Sequence, residues 1–317
     1  RGLVSDSHPQ CRGFYDAGLN AAARMIRQAD LVLLLGRRQD FVMGYAMPPI
    51  VSANAKVVQI DPSSVEIGRN RDVAVGIVGS VDAVLRYLTE EARNHIWSEL
   101  DWSRELERER DTQLRSLAEL ETTDVPMHPM QIFKAIKPLL RPDDHLVFDA
   151  GDFCHFGRAF LPAQRPRSWW YFPTLGMLGM AVPIGIAAKL ADPSRRVIVF
   201  SGDGGFGFNG MEIDTAVRHD LPMVVVLGND AAWGIDRQIQ LAVYGKSVAT
   251  DLYQTRYDIV VDGLGGFGQL VEKPEELAPA FSRAVASRRP ALLNVPIQRT
   301  VSPRGESAIA RWKAGRH

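Results

Sequence analysis

Hydrophobic and polar positions follow two different periods in the first 90 residues. Residues 21–28 carry apolar side chains at helical spacing, whereas residues 31–35 form a continuous apolar run, typical of a parallel strand covered on both faces. The same patterns predict strands at 56–60 and 75–78, and a helix at 80–88 with a serine as its N-cap. Strands that alternate with helices in this way predict a small parallel α/β layer.

Residues 91–126 form a charged segment. Eight acids and four arginines lie between residues 98 and 121, with leucines at helical spacing among them. This composition favours a solvated helix that links two domains over a partner-binding helix. We therefore predict a helical linker over 91–126.

Residues 127–300 return to the α/β pattern. Strands are predicted at 146–148, 197–200, 223–227 and 291–295, and a buried helix of small apolar residues at 176–190. The predicted fold class is α/β, with two open parallel-sheet domains that carry helices on both faces. The predicted boundaries are a first domain at 1–90, the linker, a second domain at 127–300 and a C-terminal tail at 301–317.

Composition narrows the class of protein. The 317 residues include 37 Lys and Arg against 37 Asp and Glu, so no overall field favours nucleic acid or an anionic membrane as a partner. Cys11 and Cys154 are the two cysteines, too few for a disulfide framework or a multi-cysteine metal site. No apolar run approaches the ~18 residues of a membrane span, and the first residues lack a signal peptide's apolar stretch. These features predict a cytoplasmic enzyme.

The segment 197–234 carries the candidate chemistry. It predicts a strand, a Gly-rich loop, a helix and a second strand, with Asn209 and Glu212 spaced as a capping box for a helix from about Gly210 to His219. Such a unit brings the carboxyl ends of both strands to one edge of the sheet, where open α/β sheets bind ligands. Asp203 ends the first strand, and Asn229 and Asp230 end the second.

Oxygen atoms at these two strand ends suit a magnesium ion. The carboxylates of Asp203 and Asp230 and the main-chain carbonyl of Ala232 would supply three ligands, and a diphosphate with a water would complete the shell. The glycines that leave room for the diphosphate are Gly202, Gly204 and Gly205. Each segment alone would be a turn; together, at two strand ends, they favour the cation site over that alternative.

These residues resemble the thiamine diphosphate enzymes of the acetolactate synthase and 2-hydroxyacyl-CoA lyase (oxalyl-CoA decarboxylase-like) family. The family signature is Gly-Asp-Gly followed, after a helix and a strand, by Asn-Asn; here Asp230 replaces the second Asn. The resemblance implies a thiamine diphosphate-binding fold plus a middle domain. It assigns Mg²⁺ binding to Asp203, Asp230 and Ala232, and places Gly202, Gly204, Gly205 and Asn229 at the cofactor.

Two further runs extend the resemblance. The run at 175–179, Leu-Gly-Met-Leu-Gly, is similar to the family's Gly-x-Met-Gly turn. This implies that the Gly176 carbonyl accepts a hydrogen bond from the aminopyrimidine and that Leu178 props the cofactor. Residues 149–158 align with a family loop that touches the diphosphate, which implies a cofactor role for Asp152 and Phe153. Residues 1–90 resemble the middle domain, which leaves ADP, CoA or FAD open as a further ligand.

The resemblance covers two of the family's three domains. In the family, a pyrimidine-binding domain supplies the glutamate that activates the cofactor, and the site lies between two chains. We therefore expect a pyrimidine-binding domain or subunit to complete the site, in a homo- or hetero-oligomer that is a dimer or tetramer. No catalytic residue is assigned within this chain.

Three functions stay open. The run at 205–212, Gly-Phe-Gly-Phe-Asn-Gly-Met-Glu, is most similar to 2-hydroxyacyl-CoA lyases and oxalyl-CoA decarboxylases. We favour such a lyase, acting on a small-molecule or acyl-CoA substrate, over an acetolactate synthase-like carboligase or a non-catalytic cofactor-binding subunit. Trp233 could line the substrate channel, or pack in a core or interface. His155 could shuttle protons, although a structural role is favoured. The basic segment 299–317, which begins with Arg299, could cover acyl-CoA phosphates, although a solvated tail is favoured.

Overall fold

A computed structural model describes residues 1–98, 100–120, 125–171 and 176–315. The chain divides into two compact units, one of residues 12–113 and one of residues 1–11 together with 114–317. Residues 1–11 belong to the larger unit because their backbone binds it: the Asp6 N–H donates to the Ala163 carbonyl at 2.8 Å, and the Gly2 carbonyl accepts from Arg167 at 2.9 Å. The predicted domain boundaries at 90, 126 and 300 stay predictions.

The smaller unit contains a three-stranded parallel sheet in the order β1-β2-β3. Its helices and strands are α1 (Ala21–Arg24), β1 (Leu31–Leu35), β2 (Lys56–Asp61), β3 (Val75–Val78) and α2 (Val81–Ala92). A further helix, α3 (Asp101–Glu119), begins in this unit, and its last residues, 114–119, belong to the larger one. The sheet's buried face packs against apolar residues that include Met43 and Val51. The predicted helix at 21–28 is divided into α1 and a 3-10 helix, Met25–Gln28. Ser80 caps α2 as predicted, accepting from the Ala83 N–H at 3.4 Å.

The charged segment forms the helix that its pattern predicts. α3 runs from Asp101 to Glu119, and Leu117 is its buried residue. Residues 99 and 121–124 of the predicted linker lie outside the described residues. In the part of the chain that the structure describes, no helix is long and apolar enough to cross a membrane.

The larger unit is built on a six-stranded, fully parallel sheet in the order β5-β4-β6-β7-β9-β8. Its strands are β4 (His145–Phe148), β5 (Trp169–Tyr171), β6 (Val197–Gly202), β7 (Val224–Asn229), β8 (Phe267–Leu270) and β9 (Ala291–Pro296). Its helices are α4 (Pro129–Ile136), α5 (Asp152–Phe160), α6 (Ala181–Ala191), α7 (Asp203–Asn209), α8 (Ile213–Arg218), α9 (Gly234–Tyr244), α10 (Tyr257–Gly263), α11 (Pro274–Ala286) and α12 (Pro303–Lys313). The apolar runs form its central strands, β6 and β7. The predicted α/β class with two parallel sheets is confirmed.

The predicted helix from Gly210 to His219 is wrong in its start. The helix begins at once after β6, as α7 from Asp203, and a 3-10 turn at Gly210–Glu212 separates it from α8. Asn209 makes no cap hydrogen bond; its side-chain amide instead donates to the Gly179 carbonyl at 2.9 Å. Of the glycines expected in a loop, Gly204 and Gly205 therefore lie in the first turn of a helix, whereas Gly202 ends β6.

Two other predicted bounds differ from the structure. The helix predicted at 176–190 begins only at Ala181, because Gly176 and Gly179 adopt φ values of 63° and 78°, which lie outside the right-handed α-helical range. Residues 301–317 do not form a solvated tail throughout: α12 occupies Pro303–Lys313, and its N-cap Ser302 accepts from the Gly305 N–H at 3.1 Å. Residues 172–175, including Leu175 of the predicted turn, and residues 316–317 lie outside the described residues.

Candidate functional site

A cleft opens in the larger unit where β4, β6 and β7 end. It encloses about 550 Å³ of non-protein space, including its mouth. β6 and β7 pair in parallel up to Gly202 and Gly228, so their carboxyl ends meet at one edge of the sheet, as predicted. The predicted site residues that line this cleft are Asp152, Phe153, Leu178, Gly202, Asp203, Gly204, Gly205, Asp230, Ala232 and Trp233.

Three predicted residues lie elsewhere. Asn229 is fully buried and shapes the strand end, since its amide donates to Asn294 Oδ1 at 3.1 Å and its Oδ1 accepts from the Ala231 N–H at 3.2 Å. Gly176 is exposed, and the lining of the cleft does not include it. His155 is buried, its Nδ1 3.2 Å from Ser302 Oγ, and burial holds its pKa well below the usual value. This placement matches the structural alternative, and a proton-shuttling His155 stays a prediction without a contact that supports it.

The two carboxyls at the strand ends share a low-polarity environment. Asp203 is 2% exposed, and burial raises its pKa. Asp230 has its pKa raised to about 7, first by burial, then by the Asp203 charge and a hydrogen bond with the Asp203 carboxyl. Asp203 Oδ2 has no hydrogen-bond partner among the residues described. A buried acid with an unsatisfied oxygen beside a half-buried acid fits a divalent cation, which would neutralise both carboxylates.

The protein supplies few possible metal ligands in this cleft. In the described part of the chain, no three His, Cys, Asp or Glu side chains are grouped as a metal site. A cation held by Asp203 and Asp230 therefore needs further oxygen atoms, and the Ala232 carbonyl, a ligand's phosphates and water are of the type that Mg²⁺ accepts. The geometry agrees with the predicted ligand set but leaves it a prediction.

Asp230→Asn should change how stability depends on pH. The folded protein keeps a proton on Asp230 up to about pH 7, whereas the unfolded chain releases it near 3.8, so stability falls as pH rises through this window. We expect Asn to remove this fall and to raise stability at pH 8, without divalent cations, by on the order of 1–3 kcal/mol. Thermal melts from pH 5 to pH 8 measure it. A gain independent of pH would contradict the raised pKa of Asp230.

Asp149, for which the sequence predicts no role, organises the cleft wall. Its carboxylate accepts from the Gly179 N–H at 3.1 Å, from the Ala150 N–H at 2.9 Å and from Ser201 Oγ at 3.4 Å. Burial raises its pKa, and these hydrogen bonds lower it. Asp149 thereby fixes the turn that ends at Gly179. The signal that could have found it is its place directly after β4, beside the strand that leads to Asp203.

Two glycines in α7 make close approaches possible. A Cβ at Gly204 would lie 2.7 Å from the Trp233 ring, and a Cβ at Gly205 would lie 3.0 Å from the Asp149 carboxyl carbon. The Trp233 ring also lies near Phe208, with centroids 5.5 Å apart. The glycines therefore let α7 start against both side chains, and Trp233 forms a wall of the cleft as well as an aromatic contact.

Asp152 and Phe153 hold the start of α5 at the cleft. Asp152 Oδ1 accepts from the Ser302 N–H at 3.1 Å, while its Oδ2 has no partner within the described ranges. Burial raises the Asp152 pKa to about 6, although the hydrogen bonds to Ser302 lower it. Phe153 is buried and stacks on Phe133, centroids 4.9 Å apart. Their contacts to a cofactor stay predictions.

Two family models match the chain. Residues 149–295 match the model of the thiamine pyrophosphate enzyme C-terminal TPP binding domain, and residues 1–88 match that of the thiamine pyrophosphate enzyme central domain. Thiamine pyrophosphate is another name for thiamine diphosphate. The match to the binding domain begins directly after β4 and includes β6, β7 and most of the cleft's lining.

The chain is similar to curated proteins of two kinds, acetolactate synthases and 2-hydroxyacyl-CoA lyases. The chain is 37% identical to the acetolactate synthase large subunit IlvG of Mycobacterium tuberculosis over 87% of this chain and 50% of that protein. It is 30% identical to 2-hydroxyacyl-CoA lyase 1 of Mus musculus and 31% identical to a 2-hydroxyacyl-CoA lyase of Oryza sativa, each over 94% of this chain and 53% of the relative. The chain therefore spans about half the length of these relatives.

Proposed function

This chain belongs to the thiamine pyrophosphate enzyme family, and from that premise we propose that it is a thiamine diphosphate- and Mg²⁺-dependent enzyme that makes or breaks carbon–carbon bonds. The observation that carries the proposal is a pair of acids at two adjoining strand ends, the buried Asp203 and the half-buried Asp230, whose pKa values are both raised. Both line one cleft inside the matched binding domain, and Asp203 keeps an unsatisfied oxygen there. A divalent cation would satisfy that oxygen, and phosphate oxygens are ligands of the type that it accepts.

When bound, thiamine diphosphate would supply the covalent chemistry at an acyl carbon. This chain's residues bind and orient it. Asp203, Asp230 and the Ala232 carbonyl hold Mg²⁺, and Gly204 and Gly205 keep α7 free of side chains on the cleft side. Leu178 and Trp233 give the cleft apolar walls, which exclude water from the reacting atoms.

The activating glutamate is proposed to come from a pyrimidine-binding domain or subunit, with the complete site formed in a dimer or tetramer. The family resemblance supports this arrangement. The cytoplasmic location, and a nucleotide such as ADP, CoA or FAD on the smaller unit, stay predictions.

We propose 2-hydroxyacyl-CoA as the first substrate class, cleaved to formyl-CoA and an aldehyde or ketone, or formed in reverse. The run at 205–212 and the lyase relatives support this choice. A carboligase acting on 2-keto acids is the second candidate, and the 37% identity to an acetolactate synthase subunit supports it. A non-catalytic cofactor-binding subunit is the third.

Product analysis of the purified protein, with thiamine diphosphate and Mg²⁺ and with or without a pyrimidine-domain partner, tests the proposal. We expect formyl-CoA from a 2-hydroxyacyl-CoA, no acetolactate from pyruvate, and loss of turnover when a chelator removes the cation. Acetolactate, with the yellow colour of bound flavin, would favour the carboligase. Cofactor binding without turnover of either substrate, even with the partner, would favour the non-catalytic subunit. Turnover that survives chelation would contradict the proposed cation.

A further inference from the structure

Arg299, just beyond the end of β9, reaches back to the strand end that carries Asp230. We define residues 229–232 as the cation loop. Arg299 Nε donates to the Asp230 carbonyl at 2.9 Å and its Nη2 to the Ala231 carbonyl at 2.8 Å. Its Nη1 donates to Asp251 Oδ1 at 2.8 Å. One planar guanidinium thus joins two successive carbonyls of the loop to a carboxylate outside it.

The cation loop has a backbone that needs such support. Ala231 has φ 51°, a left-handed conformation that a residue with a Cβ rarely adopts. The loop pairs with residues 250–252 through Trp233 N–H to Thr250 O and Leu252 N–H to Ala231 O, both at 2.8 Å. These two bonds leave the Ala232 carbonyl outside the pairing, so that it can turn to the cleft. Arg299 fixes the two carbonyls, those of Asp230 and Ala231, that come immediately before the Ala232 carbonyl.

Asp251 holds the Arg299 guanidinium in place. Asp251, which pairs with Ala232 as an isolated bridge, accepts from both Arg299 and Arg237, the latter at 3.1 Å. The Arg299 side chain is 34% exposed, so its orientation depends on these contacts more than on burial. The rigid fork of guanidinium N–H donors can serve these three acceptors at once, a geometry that a lysine ammonium does not reproduce.

We propose that Arg299 is a positioning residue for the divalent cation: it holds the cation loop so that Asp230 and the Ala232 carbonyl point together toward Asp203. Its positive charge also lies beside the strand end where two acids and a diphosphate would meet. This inference rests on the proposed function, because it assumes that the loop binds a cation with thiamine diphosphate. It goes beyond that function in giving a role to a side chain outside the cleft's lining.

Mg²⁺ titration at saturating thiamine diphosphate, followed by Trp233 fluorescence and by calorimetry, tests the positioning role. Partners that orient metal ligands typically change affinity by about 10–100-fold. We expect Arg299→Gln to raise the Kd for Mg²⁺ by at least about tenfold. Arg299→Lys should fall between this variant and the wild type. Arg218→Gln is the matched control, since Arg218 pairs with Asp214 on the surface of α8, and its Kd should stay within about twofold of the wild type.

Thermal melts without ligand separate positioning from a merely structural role. Arg299→Gln and Arg218→Gln should melt within about 2 °C of each other, while only the former loses Mg²⁺ affinity. An unchanged Kd for Mg²⁺ in Arg299→Gln would overturn the positioning role alone. If Arg299→Gln folded poorly, a wild-type Kd for Mg²⁺ in Arg299→Lys would overturn it instead. A wild-type protein that binds thiamine diphosphate equally well without Mg²⁺ would overturn the cation site and the positioning role together.

Discussion

Asp203→Ala should abolish Mg²⁺-dependent binding of thiamine diphosphate while the protein remains folded. The variant removes a carboxylate ligand at the end of β6, and we expect affinity to fall by more than about 100-fold, beyond the loss typical of an outer-shell partner. Stability should change by less than about 1 kcal/mol, or rise. The reason is that Asp203 is a buried acid with an unsatisfied oxygen, so the folded protein gains little from it when no cation is bound. Calorimetric titration measures the affinity, and a thermal melt the stability.

Asp214→Ala is the matched control for this variant. Asp214 is an acid in the first turn of α8 and is half-exposed, paired with Arg218 at 2.8 Å. Its removal should leave cofactor affinity within about twofold. If Asp203→Ala bound thiamine diphosphate and Mg²⁺ as tightly as the control, the cation would have to be held elsewhere. If Asp203→Ala unfolded, Asp203→Asn would make the same test, since it keeps the shape and removes the charge.

Sequence patterns located this site because its chemistry lies at strand ends. A buried parallel strand is a continuous apolar run, and the residues directly after such a run must lie at the carboxyl edge of the sheet. Asp203 and Asp230 each come after such a run, so their proximity could be predicted without coordinates. The same reasoning predicted the two parallel sheets, although it identified only four of the six strands of the larger one and missed β5 and β8.

Sequence patterns failed where a side chain's partner is distant in the chain. Asn209 has the spacing of an N-cap, but its amide binds a carbonyl thirty residues earlier. The local pattern groups Arg299 with a solvated tail, although it binds the main chain of Asp230, sixty-nine residues back. The residues next to Asp149 in the sequence do not indicate that its carboxylate accepts a hydrogen bond from the Gly179 N–H. Such contacts arise from the packing of the whole unit, which local periodicity does not encode.

Gly228→Ala should destabilise the larger unit and deform the cleft. Gly228 is the penultimate residue of β7, and a Cβ there would lie 2.4 Å from the Phe153 ring. That ring cannot move away freely, because it stacks on Phe133, which in turn packs against Phe200 with centroids 5.4 Å apart. Overpacking of this kind costs about 1–3 kcal/mol. We expect Tm to fall by roughly 2–4 °C for each kcal/mol, together with weaker cofactor binding.

Gly263→Ala is the control that separates the effect of overpacking from the effect of replacing a glycine. Gly263 ends α10, its φ is not positive, and a Cβ there would meet no heavy atom within 4 Å. Alanine should therefore leave Tm unchanged or raise stability by up to about 1 kcal/mol, since it restricts the unfolded chain. Equal melting temperatures for the two variants would mean that Phe153 can give way. The packing of Phe153 on Phe133 would then not set the position of the strand end beside Asp230.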